Sequence, residues 1–589
     1  MRQFFKFMFA SMLGMVLAII VLFFLFVGIV SVMVSSLDNN KAVKIPGNSI
    51  LEIRLDDPVT ERTPSNPFKN FDFANMQSHN QPGLFDIIKN LDKAAKDPNI
   101  NGIFLSVADI QCRNATTEEI RNALIRFKES KKFIIAYAEY YSQNSYYLAS
   151  VADKIYLHPE GVVEFKGYYT ELMFFKNMFA KLEVEPQVIR HGKYKSFAEP
   201  FINEKMSNEN RAQIKEFVDD SWNHTVEGIA KARKKNVDDL QQIARELKVQ
   251  NANDALEYGL VDKLAYEDEI TSELKKQAGV KGKGKLKLVS LNKYNRVPEK
   301  HDGYVKEKIA VIFATGTISS GKGDEESIGS ETTSQAIRKA REDENIKAIV
   351  FRVNSPGGSA LASDVIWREI TLAQKAKPVV VSMGDLAASG GYYISCSANT
   401  IVAQPNTITG SIGVIGILLN MKNLLNNKLG ITTDTYKTGE FSDLGNPTRP
   451  LSSAEKQIIQ NSIAKIYDTF TSHVAEGRKM RQSEVDSLGE GRVWSGEDAL
   501  QSGLVDTLGN LNDAIKIAAK LAKVSKYRIT ELPEQKDALQ EILSQLNEEV
   551  SFSNLKNVFG ANAKYFKEIK EILKMQGIQM RMPFDVSVN

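Results

Sequence analysis

Cysteine is scarce in this sequence, and its scarcity excludes two classes of fold. Only Cys112 and Cys396 occur among 589 residues, far too few to hold a disulfide-built fold together. No Cys-x-x-Cys pair and no Cys/His cluster is present to ligate a metal ion. We therefore expect no zinc site, no other metal and no cofactor. The sequence leaves open whether the two cysteines pair.

An excess of charge of one sign is also lacking. The chain carries 75 Lys and Arg against 72 Asp and Glu, a formal net charge of +3, and it has no long basic run. Proteins that bind nucleic acid concentrate basic residues on one face or in one segment, so we expect no nucleic-acid partner. A hydrophobic content of 43% and a length of 589 residues predict two or more folded domains.

The most unusual segment is apolar and lies at the N-terminus. No charged residue occurs between Lys6 and Asp38, and the run from Phe7 to Val34 is almost wholly apolar. About 20 such residues span a bilayer as a helix, whereas a cleaved signal has a shorter apolar core. We therefore predict an uncleaved transmembrane anchor. Because Arg2 and Lys6 precede the run, the N-terminus is expected in the cytoplasm and the rest of the chain outside it.

The chain contains an internal repeat. Asp254–Leu264 returns as Asp498–Leu508 with eight identities in eleven, at an offset of 244. At an offset near 246, the strand-like segment Ile100–Leu105 is matched by Ile346–Phe351. In each half, short β-branched runs alternate with helix-length segments, which predicts an α/β fold with a parallel sheet covered by helices.

The repeat divides the chain into five predicted parts. Residues 279–306 have the composition of a connector, and Leu539, Ile542, Leu543 and Leu546 have helical spacing. The parts are a cytoplasmic N-terminus with the anchor (1–37), an N-terminal repeat domain (47–278), a linker (279–306), a C-terminal repeat domain (307–532) and a helical tail (533–589).

The two halves differ at one serine. The predicted strand from Pro378 to Met383 runs into Ser389-Gly-Gly, at a junction with a helix. The matching residues of the first half are Gln143-Asn-Ser, so this constellation occurs once per chain. Two glycines leave room for a substrate backbone, which makes Ser389 a candidate nucleophile. The alternative is that Ser389 only caps a helix.

A second glycine-rich turn lies upstream of this serine. Ser355-Pro-Gly-Gly-Ser359 follows a strand and precedes a helical pattern, and the first half has no matching glycines. Such a turn leaves backbone N–H groups uncovered, so Gly357 and Gly358 are candidates for stabilising an oxyanion. Glycine turns between strands and helices are common, and a purely structural role is the alternative.

A serine nucleophile needs a base. None of the six histidines lies in a motif that links it to Ser389, so a Ser-His-Asp triad is unsupported. Lysine is the other choice, because burial disfavours its charged form. The repeat aligns Gly192–Pro200 with Gly439–Pro447 and sets Lys195 opposite Ser442. Lys195 is thus a candidate base, although a solvated surface lysine is the common alternative.

Four segments together resemble the signal peptide peptidase A family in its long tandem form (protease IV). They are Tyr194–Ser196, Asn354–Gly358, Met383–Tyr393 and Thr409–Gly413. The order of anchor, two homologous domains and tail is also similar. The resemblance implies two Clp protease/crotonase-like α/β domains in tandem after a transmembrane helix.

The resemblance also implies roles and partners. Ser389 would be the nucleophile, Lys195 the general base, and Ser411 the residue that orients the lysine amine. A backbone N–H of Gly357 or Gly358 would form the oxyanion hole. The implied activity is a Ser-Lys endopeptidase of the bacterial cell membrane that degrades remnant signal peptides after secretion. The implied assembly is a homo-oligomer, a tetramer, that encloses its active sites.

Two other functions stay open. A crotonase-type enzyme acting on acyl-CoA would use a similar oxyanion turn, but a membrane anchor argues against it. A non-enzymatic membrane scaffold would use the repeat for assembly and the glycine turns for packing. The sequence does not decide whether Ser389 and Lys195 meet within one chain or across subunits, and it does not define the cleavage-site preference.

Overall fold

The computed structural model describes residues 2–37, 43–65, 71–72, 77–78, 81–280, 284–298, 303, 305–535 and 578–582. Elements up to residue 298 are α1 (Arg2–Leu37), β1 (Ser49–Ile53), β2 (Phe71–Asp72), β3 (Gln77–Ser78), α2 (Leu84–Lys96), β4 (Ile100–Leu105), α3 (Asn114–Lys128), β5 (Phe133–Tyr141), α4 (Gln143–Ala149), β6 (Lys154–Val163), α5 (Lys176–Leu182), β7 (Glu185–His191), α6 (Glu199–Ile202), α7 (Asn208–Arg233), α8 (Val237–Arg245), α9 (Ala252–Glu257), β8 (Lys263–Leu264), α10 (Glu267–Gln277), β9 (Leu288–Ser290) and α11 (Leu291–Asn295).

The remaining elements lie between residues 308 and 581. They are β10 (Lys308–Thr315), β11 (Thr317–Ser319), β12 (Ser327–Gly329), α12 (Ser330–Glu342), β13 (Ile346–Ser355), β14 (Gly357–Ser359), α13 (Ala360–Ala376), β15 (Val379–Ala388), α14 (Gly390–Tyr393), β16 (Thr400–Ala403), β17 (Ile408–Gly410), β18 (Val414–Asn420), α15 (Ser453–Arg478), α16 (Gln482–Leu488), β19 (Val493–Ser495), α17 (Gly496–Gln501), β20 (Thr507–Leu508), α18 (Leu511–Leu521), β21 (Arg528–Leu532) and β22 (Ile578–Arg581).

Two mainly parallel sheets form the centre of the molecule, which confirms the predicted α/β class. In the first half the strand order is β8-β6-β5-β4-β1-β9, and all of these pairs are parallel. In the second half the order is β19-β17-β15-β13-β10-β21; β16 also pairs with β15, and β20 pairs with β16. All residues of β15 are buried, because helices cover a parallel sheet on both faces. The repeat also persists in the helices, since α7 and α15 are both 26 residues long.

A third sheet joins the two halves. Its order is β12-β11-β14-β22-β18-β7, so β7 of the first half pairs with β18 of the second. The pairing is antiparallel and runs without a break from His191–Val414 to Glu185–Asn420. The two halves therefore share one continuous sheet, which the sequence did not predict.

The predicted linker needs a correction. Residues 288–295 were expected in a connector, but β9 pairs in parallel with β1 and extends the first sheet by one strand. Leu291 and Tyr294 of α11 are buried in the first core. The apolar residues here are too few to show a periodicity, and the edge of an existing sheet supplies their hydrogen-bond partners and cover.

The predicted helical tail needs a correction too. Residues 578–581 form a strand, β22, which pairs with both β14 and β18. The helical spacing of Leu539, Ile542, Leu543 and Leu546 lies outside the described residues. A four-residue segment carries too little pattern to separate strand from helix, and here the two flanking strand edges decide its conformation.

The predicted membrane anchor is not confirmed. The segment forms a helix, α1. In the described part of the chain, however, no helix has the length and apolarity that crossing a membrane requires. Cys112 and Cys396 are both free.

A buried ion cluster holds the two halves together. Arg352 on β13 is fully buried, and its guanidinium lies 2.8 Å from a carboxylate oxygen of Glu61 and 2.7 Å from one of Glu119. Its Nη1 also donates to the Ser382 hydroxyl and to the Met383 carbonyl. One cation from the second half thus lies between two carboxyl groups from the first, and burial raises the pKa of the Glu119 carboxyl.

Replacing Arg352 with methionine should lower the free energy of unfolding by about 3–5 kcal/mol, because two buried carboxylates lose their counter-charge. Chemical denaturation followed by circular dichroism measures the change. The control is Arg481→Met, since Arg481 is 80% exposed and pairs with Glu484 on the surface; its effect should stay below about 1 kcal/mol. Equal effects for the two variants would contradict the role given to Arg352.

Candidate active site

Ser389 lies at the sharp turn between β15 and α14. Its backbone has φ 57° and ψ −114°, a conformation that costs a non-glycine residue about 1–3 kcal/mol. The Ser389 N–H donates to the Gly410 carbonyl at 2.8 Å, which fixes the turn. A Cβ on Gly391 would lie 2.7 Å from the Ser355 carbonyl oxygen, so only glycine lets the turn pack this closely. In this strained turn the Ser389 hydroxyl is directed toward the Lys195 amine, 2.7 Å away.

Lys195 reaches the same place from the first half. It follows β7, so the shared sheet carries it to the second half. The Tyr194 N–H donates to the Glu490 carbonyl at 2.9 Å, which ties the lysine loop to that half. A Cβ on Gly491 would lie 2.6 Å from the Lys195 Cβ, and Gly491 has φ +83°. Glycine is therefore required where the lysine passes.

The lysine amine and two serines form one buried cluster. Lys195 Nζ lies 2.7 Å from Ser389 Oγ and 3.0 Å from both the hydroxyl and the carbonyl oxygen of Ser411. All three residues are fully buried. The three predicted residues are thus brought together within a single chain.

The pKa of Lys195 lies well below the ordinary lysine value of 10.5, and burial is the cause, because it removes water from the ammonium form. Among the described residues, no neighbouring charge adds to this effect of burial. An amine in this environment can be neutral and can take a proton from a hydroxyl 2.7 Å away.

The glycine turn lies beside the serine. The Gly357 N–H donates to Ser355 Oγ at 3.1 Å, so this donor is already engaged. A Cβ on Gly390 would lie 3.1 Å from Gly358 N, which puts the Gly358 amide next to the residue that follows Ser389. The arrangement favours Gly358 over Gly357 as an oxyanion donor.

Neither a described histidine nor the first-half position that matches Ser389 supplies an alternative catalytic group here. Of the described histidines, none is hydrogen-bonded to Ser389; His191 stacks on Tyr467 and His473 on Trp367. In the first half, the position that matches Ser389 holds Gln143, whose side chain binds the Gly167 backbone. Ser442, opposite Lys195 in the repeat, is exposed.

Sequence reasoning missed the residues that make room for the lysine. A Cβ on Gly413 would lie 3.1 Å from Lys195 Cδ, and Gly491 contacts the lysine backbone. Gly413 falls within the motif Thr409–Gly413, so a signal existed for it. Gly491 lies in no motif that the sequence singled out, because its neighbour is distant in the chain.

Comparison with known proteins identifies the family. Residues 126–281 and residues 371–525 each match the sequence model of "Peptidase family S49". The chain belongs to peptidase family S49. The two matches cover corresponding parts of the internal repeat, and the resemblance inferred from the motifs is confirmed.

Relatives of this S49 peptidase match most of its length. "Protease 4" of Haemophilus influenzae is 38% identical over 74% of this chain and 72% of its own, and "Protease 4" of Salmonella typhi is 36% identical over 90% and 87%. "Serine protease SPPA, chloroplastic" of Arabidopsis thaliana is 34% identical over 85% and 74%. The chain is therefore a serine peptidase.

Solved structures add no argument about the fold. A point mutant of ClpP1 from Listeria monocytogenes covers 35% of this S49 chain and 94% of its own, with a TM-score of 0.24 at 17% identity. The Clp protease/crotonase likeness stays a prediction.

Proposed function

We propose that this serine peptidase is a membrane-anchored endopeptidase with a Ser-Lys dyad, which degrades remnant signal peptides after secretion. The observation that carries the proposal is the 2.7 Å separation of Lys195 Nζ and Ser389 Oγ in a fully buried site. A crotonase-type enzyme or a scaffold gives no reason to bury a lysine against a strained serine.

The proposed reaction begins with proton transfer. The neutral Lys195 amine takes the Ser389 hydroxyl proton as the serine oxygen attacks the scissile carbonyl. Backbone N–H groups of Gly358 and Gly390 donate hydrogen bonds to the carbonyl oxygen and stabilise the negative charge that develops on it. The lysine then gives its proton to the leaving amine, and a water molecule, deprotonated in turn by Lys195, hydrolyses the acyl-enzyme.

Ser411 serves as the orienting residue in this mechanism. Its hydroxyl and its carbonyl oxygen both lie 3.0 Å from the lysine Nζ and accept the two N–H bonds of the neutral amine. The single lone pair of the amine is then directed toward Ser389. The backbone of Ser411 has φ 51°, held by its N–H to the Arg492 carbonyl.

Ser411→Ala is expected to lower kcat about 10–100-fold with little change in KM, because the lysine amine loses one of the two hydrogen-bond acceptors that orient it. The matched variant Ser411→Gly should show the same loss, since glycine adopts a positive φ without strain. Steady-state kinetics on a fluorogenic apolar peptide measure both. Full activity in either variant would remove Ser411 from the mechanism.

Membrane attachment is proposed from the apolar run Phe7–Val34. Large apolar side chains of α1 that are described, such as Phe7 and Leu13, are exposed and would contact lipid. With Arg2 and Lys6 before the run, the N-terminus lies in the bacterial cytoplasm and the catalytic domains lie outside it. Carbonate extraction tests this: the chain should stay with the membranes, and its release would contradict the anchor.

Self-association is proposed on the family resemblance. A homo-oligomer, specifically a tetramer, would enclose the active sites and admit only extended peptides. Light scattering of the protein in detergent measures the assembly, and a monomer at micromolar concentration would exclude it.

The deciding experiment combines labelling with degradation. The full chain is placed in phospholipid vesicles and treated with a fluorophosphonate, and the modified residue is mapped by mass spectrometry. An apolar signal-peptide segment and a polar peptide of equal length are then offered separately. We expect Ser389 to be modified and the apolar peptide to be degraded, but not by Ser389→Ala. Degradation that survives this substitution would overturn the proposal.

A further inference from the structure

The loop that carries Lys195 is held on both sides by one side chain, that of Gln213. Gln213 lies on α7 and is 4% exposed. Its side-chain nitrogen, Nε2, lies 3.3 Å from the Tyr194 carbonyl oxygen and 3.0 Å from the Ser196 hydroxyl. The residue before Lys195 and the residue after it are therefore hydrogen-bonded to the same amide.

The other end of the Gln213 amide binds the second half of the chain. Its carbonyl oxygen, Oε1, accepts the Val493 N–H at 3.2 Å. Val493 begins β19, which lies at one edge of the second sheet. N–H groups on the outer side of an edge strand need partners from outside the sheet, and Gln213 supplies one. The amide thus connects the lysine loop of the first half to a strand of the second.

Strand β19 and the residue before it also hold the two serines of the site. The carbonyl oxygen of Arg492 accepts the Ser411 N–H at 2.6 Å. Val493 pairs with Gly410 of β17. The Gly410 carbonyl oxygen in turn accepts the Ser389 N–H at 2.8 Å. One side chain therefore connects the lysine loop to the strand that places both serines.

Two neighbouring side chains fix the direction of the Gln213 amide. Asn210 donates from Nδ2 to a carboxylate oxygen of Glu199 at 3.0 Å, and its Oδ1 accepts from Gln213 Nε2 at 3.1 Å. Glu199 and Asn210 are both buried. Because only the nitrogen of an amide donates, this order leaves the Gln213 oxygen for Val493. A buried polar network whose members are paired is rigid and specifies one geometry.

We propose that Gln213 is a positioning residue of this peptidase, which sets the place of the Lys195 amine relative to Ser389 by holding the lysine loop against β19. The inference rests on the proposed function, because it requires Lys195 to be the base that activates Ser389. The proton moves between atoms that lie 2.7 Å apart. A displacement of about 1 Å in such a site lowers the rate about 100-fold.

Gln213→Met removes the amide and keeps the length of the side chain. We expect kcat for a fluorogenic apolar peptide to fall about 10–100-fold, because the lysine amine is no longer held in place. KM should stay within about twofold, since the groups that bind substrate are unchanged. The rate at which a fluorophosphonate labels Ser389 should fall by the same factor as kcat, because labelling needs the same activated hydroxyl.

The matched control is Gln143→Met. Gln143 is 5% exposed, and its side chain also binds the main chain, at Lys166 and Gly167. Both variants lose buried hydrogen bonds and should lower the melting temperature. Only Gln213→Met should lower kcat and the labelling rate, so the comparison separates positioning from stability.

A milder variant, Ser196→Ala, tests the same contact even if Gln213→Met does not fold. It removes one of the acceptors of the Gln213 amide and should lower kcat about three- to tenfold. In the Lys195→Met background it should have no further effect, because no base is left to position. A purely structural role would lower the residual rate in that background as well.

The outcomes separate the two proposals. If peptide cleavage does not depend on Ser389 and Lys195, the proposed function fails. If cleavage depends on both residues but Ser196→Ala is fully active, only the positioning role of Gln213 is overturned. The same holds if Gln213→Met keeps the kcat of Gln143→Met or changes KM alone.

Discussion

Lys195→Met is expected to lower kcat/KM for an apolar peptide by about 10⁴-fold, and Ser389→Ala by about 10⁴- to 10⁶-fold. Methionine has nearly the length of lysine and suits a fully buried position, so the loss reports the amine and not the packing. Because the two groups act as one unit, the double variant should be no worse than the more damaging single variant.

The control for this prediction lies in the same loop. Lys193 has a side chain that is 60% exposed and pairs with Glu490, so Lys193→Met should retain activity within about twofold. Circular dichroism should show the same fold for all variants. Normal turnover by Lys195→Met would mean that another group is the base and that the Ser-Lys mechanism is wrong.

The pH dependence of kcat/KM is expected to reveal the same amine. The base must be neutral to act, so the rate should rise with pH through the pKa of Lys195 and level off above it. Burial holds this pKa well below 10.5. Below the midpoint the rate should fall tenfold per pH unit, because the ammonium form accumulates at the expense of the active amine. A pH–rate profile from steady-state kinetics measures the midpoint.

The cause of the lowered pKa can be tested separately. Desolvation, and no neighbouring cation, lowers the pKa of Lys195. Added salt screens surface charges, and the Debye length falls from about 10 Å at 0.1 M to about 3 Å at 1 M. Raising the ionic strength about tenfold across this range should therefore leave the midpoint in place. A midpoint at or above 10.5 would show that burial does not lower the pKa of the base, and a large shift with salt would show that charges elsewhere set this pKa.

The sequence predicted the elements that carry strong local patterns. Strand β4 has the same bounds as the β-branched segment that predicted it, and β13 and β15 begin where apolar runs begin. Such runs identify buried parallel strands because helices cover both faces of the sheet. The sequence did not predict β9 and β22, because both are short strands whose conformation depends on pairing with strands that are distant in the chain.

The candidate site was reached from the sequence by two different routes. Ser389 and its glycines stood out because the halves of the repeat differ there. Lys195 came from the alignment of the repeat and from family resemblance, and the distance between the two residues could not be read from either. Gly491, which lets the lysine pass, carried no local signal because its role depends on a contact across almost 300 residues.

By itself the sequence determined the α/β class from local patterns of apolar and β-branched residues. It determined the repeat and the candidate residues of a Ser-Lys site from the comparison of its two halves and from the family resemblance. Only the tertiary structure decided that Lys195 and Ser389 meet within one chain, because the pairing of β7 with β18 brings them together. The same pairing leaves the space that β22 occupies. Sheet edges take their partners from wherever the chain supplies them, and sequence separation places no limit on that choice.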